Sequence, residues 1–346
     1  MTYNEEIIKG YLKDILSISS PSGYTEKVMD YIRKELIILN APHFTTNKGA
    51  VVVTLKGKND DYQRTLSAHV DTLGAMVKKI NATGSLGLEP IGGFMMNSIE
   101  GENCTIETID GNTFTGTIQS IKPSVHISGG EARELKRIPE NMEVILDEKI
   151  SSKKEVEELG ISVGDFICFD TRTLFTEKGF IKSRHLDDKA SASILLYAIK
   201  HIIENNIELP YTTNIFISNY EEVGHGASAS MPEKTKEFVS IDMGCPGLDQ
   251  NSSEYSVCIC AKDSSGPYDL GLRKKLVDIC KKENIDYKID TYPFYGSDAS
   301  AALRAGYDIK TALIGAGIFA SHGYERTHMD SILCTLDLII KYCISE

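Results

Sequence analysis

An α/β fold on a mixed sheet with helices on both faces, interrupted by a small β-barrel or sandwich, is the architecture this 346-residue chain predicts. Three observations carry it. Short apolar strands alternate with amphipathic helical runs toward both ends of the chain, the pattern of a sheet covered by helices. From about Leu73 to Thr171 the pattern changes to short strands punctuated by Gly, Asn and Asp turns, as in Ile80-Asn81-Ala82-Thr83-Gly84 and Ile109-Asp110-Gly111-Asn112. The length is sufficient for a sizeable core and for two compact units. The expected organisation is a discontinuous domain, 1–72 with 172–346, and an inserted β-domain, 73–171.

Taken in order, the first 40 residues read as two helices broken at Ser19-Ser20-Pro21-Ser22-Gly23, where Pro and Gly interrupt the 3.6-residue period. Strands follow at Ala50 to Lys56 and Thr65 to His69. Beyond the insert, Ser191 to His201 is a helical run, Thr213 to Tyr220 a strand pattern and Phe238 to Ile241 a second one. Ala299 to Leu303 reads as a short helix. The apolar residues Ile332, Leu333, Leu336, Ile339 and Ile340 mark a final helix after His328.

The formal net charge is −12 and Lys and Arg form no cluster, which argues against a nucleic-acid partner. Met1-Thr2-Tyr3-Asn4-Glu5-Glu6 lacks a basic, then apolar, leader pattern, and no stretch reaches the roughly 18 apolar residues of a membrane span. A soluble, cytoplasmic protein with no membrane partner is expected. The eight cysteines contain no Cys-x-x-Cys pair and no secreted-type framework, so they read as buried thiols acting as small hydrophobes, Cys258 and Cys260 included.

Five side chains in short apolar or glycine-flanked segments stand out: His69, Asp187, Glu222, Asp242 and His328. Two imidazoles and three carboxylates suit two divalent, zinc-like ions that share one bridging carboxylate. Arg64 to His69 reads as a buried strand that presents His69 and, two residues on, Asp71 on the same side. A carboxylate beside a ligating imidazole commonly accepts its second N–H, which makes Asp71 the partner of His69. Glu221 and Glu222 end an apolar strand side by side; they repel unless cations or protons neutralise them, and a metal and a catalytic proton would do both. Asp187 and Asp188 at a helix start are also ordinary caps, and a His before a helix is often one. His322 in Ala320-Ser321-His322-Gly323 is ambiguous between a ligand and a loop residue. His43, His126, His185 and His201 have no spacing that calls for a metal.

The order of these segments resembles the tetrahedral (dodecameric) aminopeptidases, dinuclear metallopeptidases that include glutamyl and deblocking enzymes. The likeness runs over nearly the whole chain: Ser20-Pro21-Ser22-Gly23-Tyr24-Thr25-Glu26, Ala68-His69-Val70-Asp71, Ile91-Gly92-Gly93-Phe94, Gly160-Ile161 with Gly164-Asp165, Leu186-Asp187-Asp188-Lys189, Glu221-Glu222-Val223-Gly224, Ile241-Asp242 and Gly296-Ser297-Asp298-Ala299. It implies a zinc-peptidase-like catalytic domain in which Asp187 bridges two divalent ions, zinc first and cobalt or manganese as alternatives. His69 and Asp242 would complete one ion, Glu222 and His328 the other. Glu221 matches the general base, Asp71 the acid that orients His69, and a non-proline cis peptide is implied at Asp187-Asp188.

By the same resemblance, the substrates are short peptides, and the inserted domain builds dimers that assemble into a homo-oligomeric dodecamer. Ser297 and Asp298 resemble the loop near the substrate's first residue, where a carboxylate would meet the free amine; Asp298 is equally a helix cap. His225 reads as a substrate contact or an ordinary loop residue. This chain departs from the family pattern at Lys189 and Ser191, in a shortened Val223-Gly224-His225-Gly226-Ala227 loop, and at Met329-Asp330-Ser331. Alternative readings are a dinuclear amide deacylase or carboxypeptidase, a glucanase-labelled relative, and a catalytically silent peptide-binding assembly. A glucanase would need two carboxyls free of metal.

Overall fold

A computed structural model describes residues 3–346, so Met1 and Thr2 of the start read above for a leader lie outside it. The chain divides into two compact units, one running to Asp71 and resuming at Thr173–Glu346, the other Thr72–Arg172. Among the described residues no helix is long and apolar enough to cross a membrane.

The larger unit is α/β, built on a nine-stranded mixed sheet. Leu209–Ser218, Gly57–His69, Thr235–Ile241 and Lys310–Ala316 lie side by side and run parallel. Parallel strands buried on both faces read as continuous apolar runs, and Thr212 through Ser218 are accordingly buried without interruption. Antiparallel neighbours flank this centre: Val51–Leu55 beside Leu209–Ser218, and Val257–Asp263 beside Lys310–Ala316. The strand read as Thr65 to His69 starts earlier, at Gly57, because its exposed first half pairs with Leu209–Ser218 and Thr235–Ile241 beyond the apolar stretch.

The helix Leu186–Glu204 is buried continuously from Leu186 to Ile199, which explains its weak amphipathic signal: it has protein around most of its circumference. It packs against the first helix, Glu5–Ser17, and the last, Met329–Ile344. Asn4 caps the first helix, its side chain accepting the N–H groups of Glu6 and Ile7. Lys189, a departure from the family pattern, is buried and reaches the Ile18 carbonyl at 2.6 Å.

The last helix is fastened to the sheet through Arg64. Its Nε donates to Glu237 Oε2 at 3.0 Å, its Nη1 donates to the carbonyls of Tyr342 and Ser345, and its guanidinium stacks between the Tyr211 and Tyr342 rings. Tyr342 in turn donates its hydroxyl to Glu237 Oε2 at 2.7 Å. Such pairing makes a buried charge tolerable.

A separate three-stranded antiparallel sheet joins Leu174–Phe175, Phe180–Ser183 and Glu325–His328, with Ser183 opposite Glu325 and Phe180 opposite His328.

The smaller unit is a closed antiparallel barrel of six strands in the order Gly74–Ile80, Leu86–Ile91, Met142–Leu146, Thr113–Ser120, Asn103–Glu107 and Phe166–Phe169. Closure leaves no free edge. Its interior holds Val77, Leu88, Ile106, Ile118, Val144 and Ile167. All eight cysteines of the chain are free thiols, and most are buried.

Candidate metal centre

Open sheets place their sites beyond the carboxyl ends of parallel strands. Here His69 ends Gly57–His69, Asp242 directly follows Thr235–Ile241, and Glu221 and Glu222 follow Leu209–Ser218 by a short link. Asp187 arrives from the start of the buried helix, where it and Asp188 have non-helical φ/ψ and are joined by a cis peptide.

Asp187 is the hub. Its Oδ1 lies 3.2 Å from His69 Nε2, and its Oδ2 lies 3.3 Å from His322 Nε2 and 3.0 Å from the Ser321 hydroxyl that donates to it. His322 Nε2 is also 3.4 Å from Glu222 Oε2. Two groups result, each with ligand atoms within 4.8 Å of one another: His69, Asp187 and Asp242, and Asp187, Glu222 and His322. Glu221 stands beside the first, its Oε2 3.7 Å from His69 Nε2.

His328 does not join them, a correction to the sequence expectation. Strand alternation turns Glu325 and Thr327 inward and leaves Arg326 and His328 on the opposite face. There the His328 ring packs on Phe180 and Tyr255 at centroid distances of 4.9 and 5.1 Å. Its Nδ1 accepts the Asp330 N–H at 3.1 Å as a helix cap, and its Nε2 is 2.8 Å from the Lys178 carbonyl. Both ring nitrogens are thereby committed. Gly179 is required beneath it, since a Cβ there would stand 2.5 Å from Nε2.

His322 takes the place expected of His328, and Glu325 holds it. The Glu325 carboxylate accepts the His322 N–H on Oε1 at 3.0 Å and the Asp187 N–H on Oε2 at 3.1 Å. A short polar loop carries no periodicity, so sequence pattern could not rank His322 above His328. The usable signal was the acid three positions after it.

Asp71 also differs from expectation. His69 Nδ1 is 2.9 Å from the Asp71 main-chain carbonyl and 3.5 Å from Oδ1, so the backbone orients the ring. The Asp71 carboxylate instead accepts the N–H of Glu221 on Oδ1 at 3.1 Å, the N–H of Glu222 on Oδ2 at 3.2 Å, and the Ser22 hydroxyl at 2.5 Å. It sets the turn that presents the two glutamates.

Asp298 is not available to a substrate amine. It is buried, accepting the Ser218 hydroxyl at 2.6 Å and the Ala227 N–H at 2.9 Å, and it lies so close to Gly226 that a Cβ there would stand 2.1 Å from Oδ1. Ser297, by contrast, lines the cavity in front of the cluster. His225 is exposed, stacked on Tyr220 at 4.9 Å and absent from that cavity's wall. Lys48 pins this shortened loop by donating to the His225 and Gly226 carbonyls.

Electrostatics describe a centre that needs cations. Burial, together with neighbouring Asp187, pushes the Glu222 and Asp242 carboxyls above their ordinary range, and burial does the same to Glu221. Burial would also raise Asp187, but His322 and His69 hold it below. Burial favours neutral His69; the carboxylates of Asp187, Asp71 and Glu221 outweigh it and lift the imidazole well above its ordinary value. With His69 Nδ1 directed at the Asp71 carbonyl, the Nε2 lone pair faces a carboxylate oxygen. Lone pair against lone pair requires a proton or a metal between them, so the donor set fits mixed N/O ligation of divalent ions. A cavity of about 520 Å³ opens onto Asp187, Glu221, Glu222, Asp242 and His322.

The sequence profile described as M42 glutamyl aminopeptidase matches residues 49–338. YhfE of Bacillus subtilis (strain 168), named as a candidate aminopeptidase, is 51% identical over 331 residues, covering 96% of this chain and 95% of that protein. Among solved structures, the TET aminopeptidase of the marine sediment archaeon Thaumarchaeota archaeon SCGC AB-539-E09 superimposes with a TM-score of 0.89 at 20% identity, covering 97% of this chain and 96% of its own. The Pyrococcus horikoshii TET1 peptidase, described as assembling into a tetrahedron or a large octahedral shell, gives 0.86 at 24% identity over 98% and 100%.

Proposed function

The chain belongs to the M42 glutamyl aminopeptidase family, and on that premise we propose that it removes the first residue of short peptides using two divalent metal ions. Family membership makes it a peptidase, hence a hydrolase, and metal dependence goes with the family. The observation that carries the two-ion reading is the position of Asp187, whose two oxygens each face a different imidazole.

In this reading Asp187 is shared, His69 and Asp242 complete one ion's protein ligands, and Glu222 and His322 complete the other's. Zinc is the proposed ion, with cobalt or manganese as substitutes, because mixed imidazole and carboxylate ligands suit all three. Bound there, divalent ions supply Lewis-acid chemistry, polarising a peptide carbonyl and lowering the pKa of a water.

Glu221 is the proposed general base. It lines the cavity beside both groups and belongs to neither. Its carboxylate takes a proton from the attacking water and hands it to the leaving amine nitrogen as the C–N bond breaks. Asp71 fixes Glu221 and Glu222 by their backbone N–H groups, so the base and a ligand are aimed by one carboxylate. Asp187 faces two imidazoles and acts as ligand only. A glycosidase reading needs two carboxyls free of metal, and the imidazole partners of Asp187 and Glu222 speak against it.

The proposed state is a homo-oligomer of the tetrahedral type described for TET1, with the inserted barrel supplying contacts. In support, the barrel exposes Ile109 and Ile127 at 87% and 89%. Light scattering that finds only monomer at micromolar concentration contradicts this.

The activity is tested with a panel of free-amine and amino-blocked short peptides, with chelator and after re-addition of Zn²⁺, Co²⁺ or Mn²⁺. Chelator-sensitive release of the first residue from free-amine peptides alone supports the reading; no cleavage with any metal overturns it.

A further inference from the structure

The wall of the cavity changes character with depth. Beside the carboxylates it is made of buried side chains, Met243, Tyr295 and Ile318 among them, whereas Phe294 lines the same cavity with its side chain 100% exposed. Its neighbours hold it there. Tyr292 and Tyr295 are buried, the Tyr292 hydroxyl 2.6 Å from Ser252 Oγ and the Tyr295 hydroxyl donating to the Met243 carbonyl at 3.0 Å, and Pro293 stiffens the link between them. The ring is therefore presented to solvent by a segment pinned on both sides.

Single exposed hydrophobes are ordinary; here they gather at one mouth. Val223 stands between the lining residues Glu222 and Gly224, Phe319 between Ile318 and Ala320, and Leu248 two positions beyond Pro246, and all three are exposed. An acidic cavity edged by apolar side chains has a second binding surface continuous with the first.

The direction of the reaction decides which part of a peptide meets that edge. Removal of the first residue requires its amine and carbonyl at the buried acids. The residues after the scissile bond then trail toward the mouth, where Phe294 stands.

We infer that Phe294 is a specificity-determining residue for the leaving side of the bond: it packs against the side chain of the second residue, so that the enzyme favours short peptides with an apolar residue there, independently of the first. The inference rests on the aminopeptidase reading. Leu and Asn have nearly the same shape, so a preference between them at the second position reports apolar burial and not size.

The test compares kcat/KM of the metal-loaded wild type, Phe294→Ser and Phe294→Leu on dipeptide amides that share the preferred first residue from the peptide panel and carry Leu or Asn second. A second series varies the first residue and keeps Leu second, and light scattering follows the oligomeric state. The expected wild-type preference for Leu over Asn is on the order of ten-fold; Phe294→Ser removes most of it, Phe294→Leu retains most of it, and the ranking of first residues is the same in all three. Absence of the preference in the wild type, or an unchanged ratio in Phe294→Ser, overturns the inference and leaves the aminopeptidase reading intact. A shift in first-residue ranking alone overturns it too, since the ring would then face the first residue. A ratio that falls together with dissociation of the protein overturns it by assigning the ring to a contact between copies. Failure of the wild type to cleave any free-amine peptide with any metal overturns the parent reading and this inference with it.

Discussion

The main-chain N–H of His322 donates to Glu325 Oε1 at 3.0 Å, and the other oxygen of the same carboxylate accepts the Asp187 N–H. One buried side chain therefore sets the separation of the shared acid and the second imidazole. Because Glu325 lies opposite Ser183 in the small antiparallel sheet, that separation is anchored in regular structure although His322 lies in a loop.

His322 and His328 are distinguished by metal stoichiometry. His322→Ala is expected to lose one of two bound ions and nearly all activity. His328→Ala keeps both ions and loses the helix cap, the Lys178 hydrogen bond and the ring packing on Phe180 and Tyr255, about 1–3 kcal/mol of stability in all. Equilibrium dialysis on the two variants checks this, and the reverse pattern would restore His328 as the ligand.

Glu325→Gln replaces one acceptor oxygen with an amide that confronts a backbone N–H. Outer supports of a metal site typically contribute ten- to hundred-fold in affinity, so metal binding is expected to weaken by roughly that factor. Circular dichroism confirms that the variant is folded; unchanged affinity in a folded variant removes Glu325 from the account.

The adjacent glutamates separate by role. Glu221→Gln is expected to keep both ions and lose turnover by about 10²–10⁴-fold, while Glu222→Gln loses one ion. Metal content and kcat measured on the same samples decide it.

The Arg64, Glu237 and Tyr342 cluster predicts a pH dependence of stability away from the metal centre. Burial alone would raise the Glu237 carboxyl, but the Tyr342 hydroxyl, Lys275 and Arg64 hold it below the ordinary value. A depressed folded-state pKa contributes stability above the unfolded value, about 4.3, and that contribution is lost as pH falls through the folded-state value. Glu237→Gln is expected to cost about 3–5 kcal/mol near pH 7, with the difference from wild type shrinking below about pH 4.3. Urea unfolding at several pH values measures it; a difference that grows on acidification contradicts the assignment.

Much of the candidate cluster was legible because its residues sit at strand ends. His69, Glu222 and Asp242 each terminate an apolar run, and a charged residue at that point is conspicuous in a sequence. The barrel announced itself through its turns. Which histidine completes the second group depended on the pairing of Glu325–His328 with Phe180–Ser183, a contact between distant segments that fixes which face each residue takes. The same holds for Asp298, whose carboxylate is claimed by Ser218 and Ala227, and for Asp71, whose partners come from the glutamate turn. Local pattern shows that an acid is present at a site, and tertiary contacts decide which of its lone pairs are spent.

In the proposed mechanism, two ions on the Asp187 cluster are required to cleave free-amine peptides. The most direct test titrates chelator-stripped protein with Zn²⁺, counting bound ions and first-residue release on the same sample. Saturation at two ions per chain is expected, with activity appearing only as the sites fill; full activity in the stripped protein would contradict the two-ion mechanism.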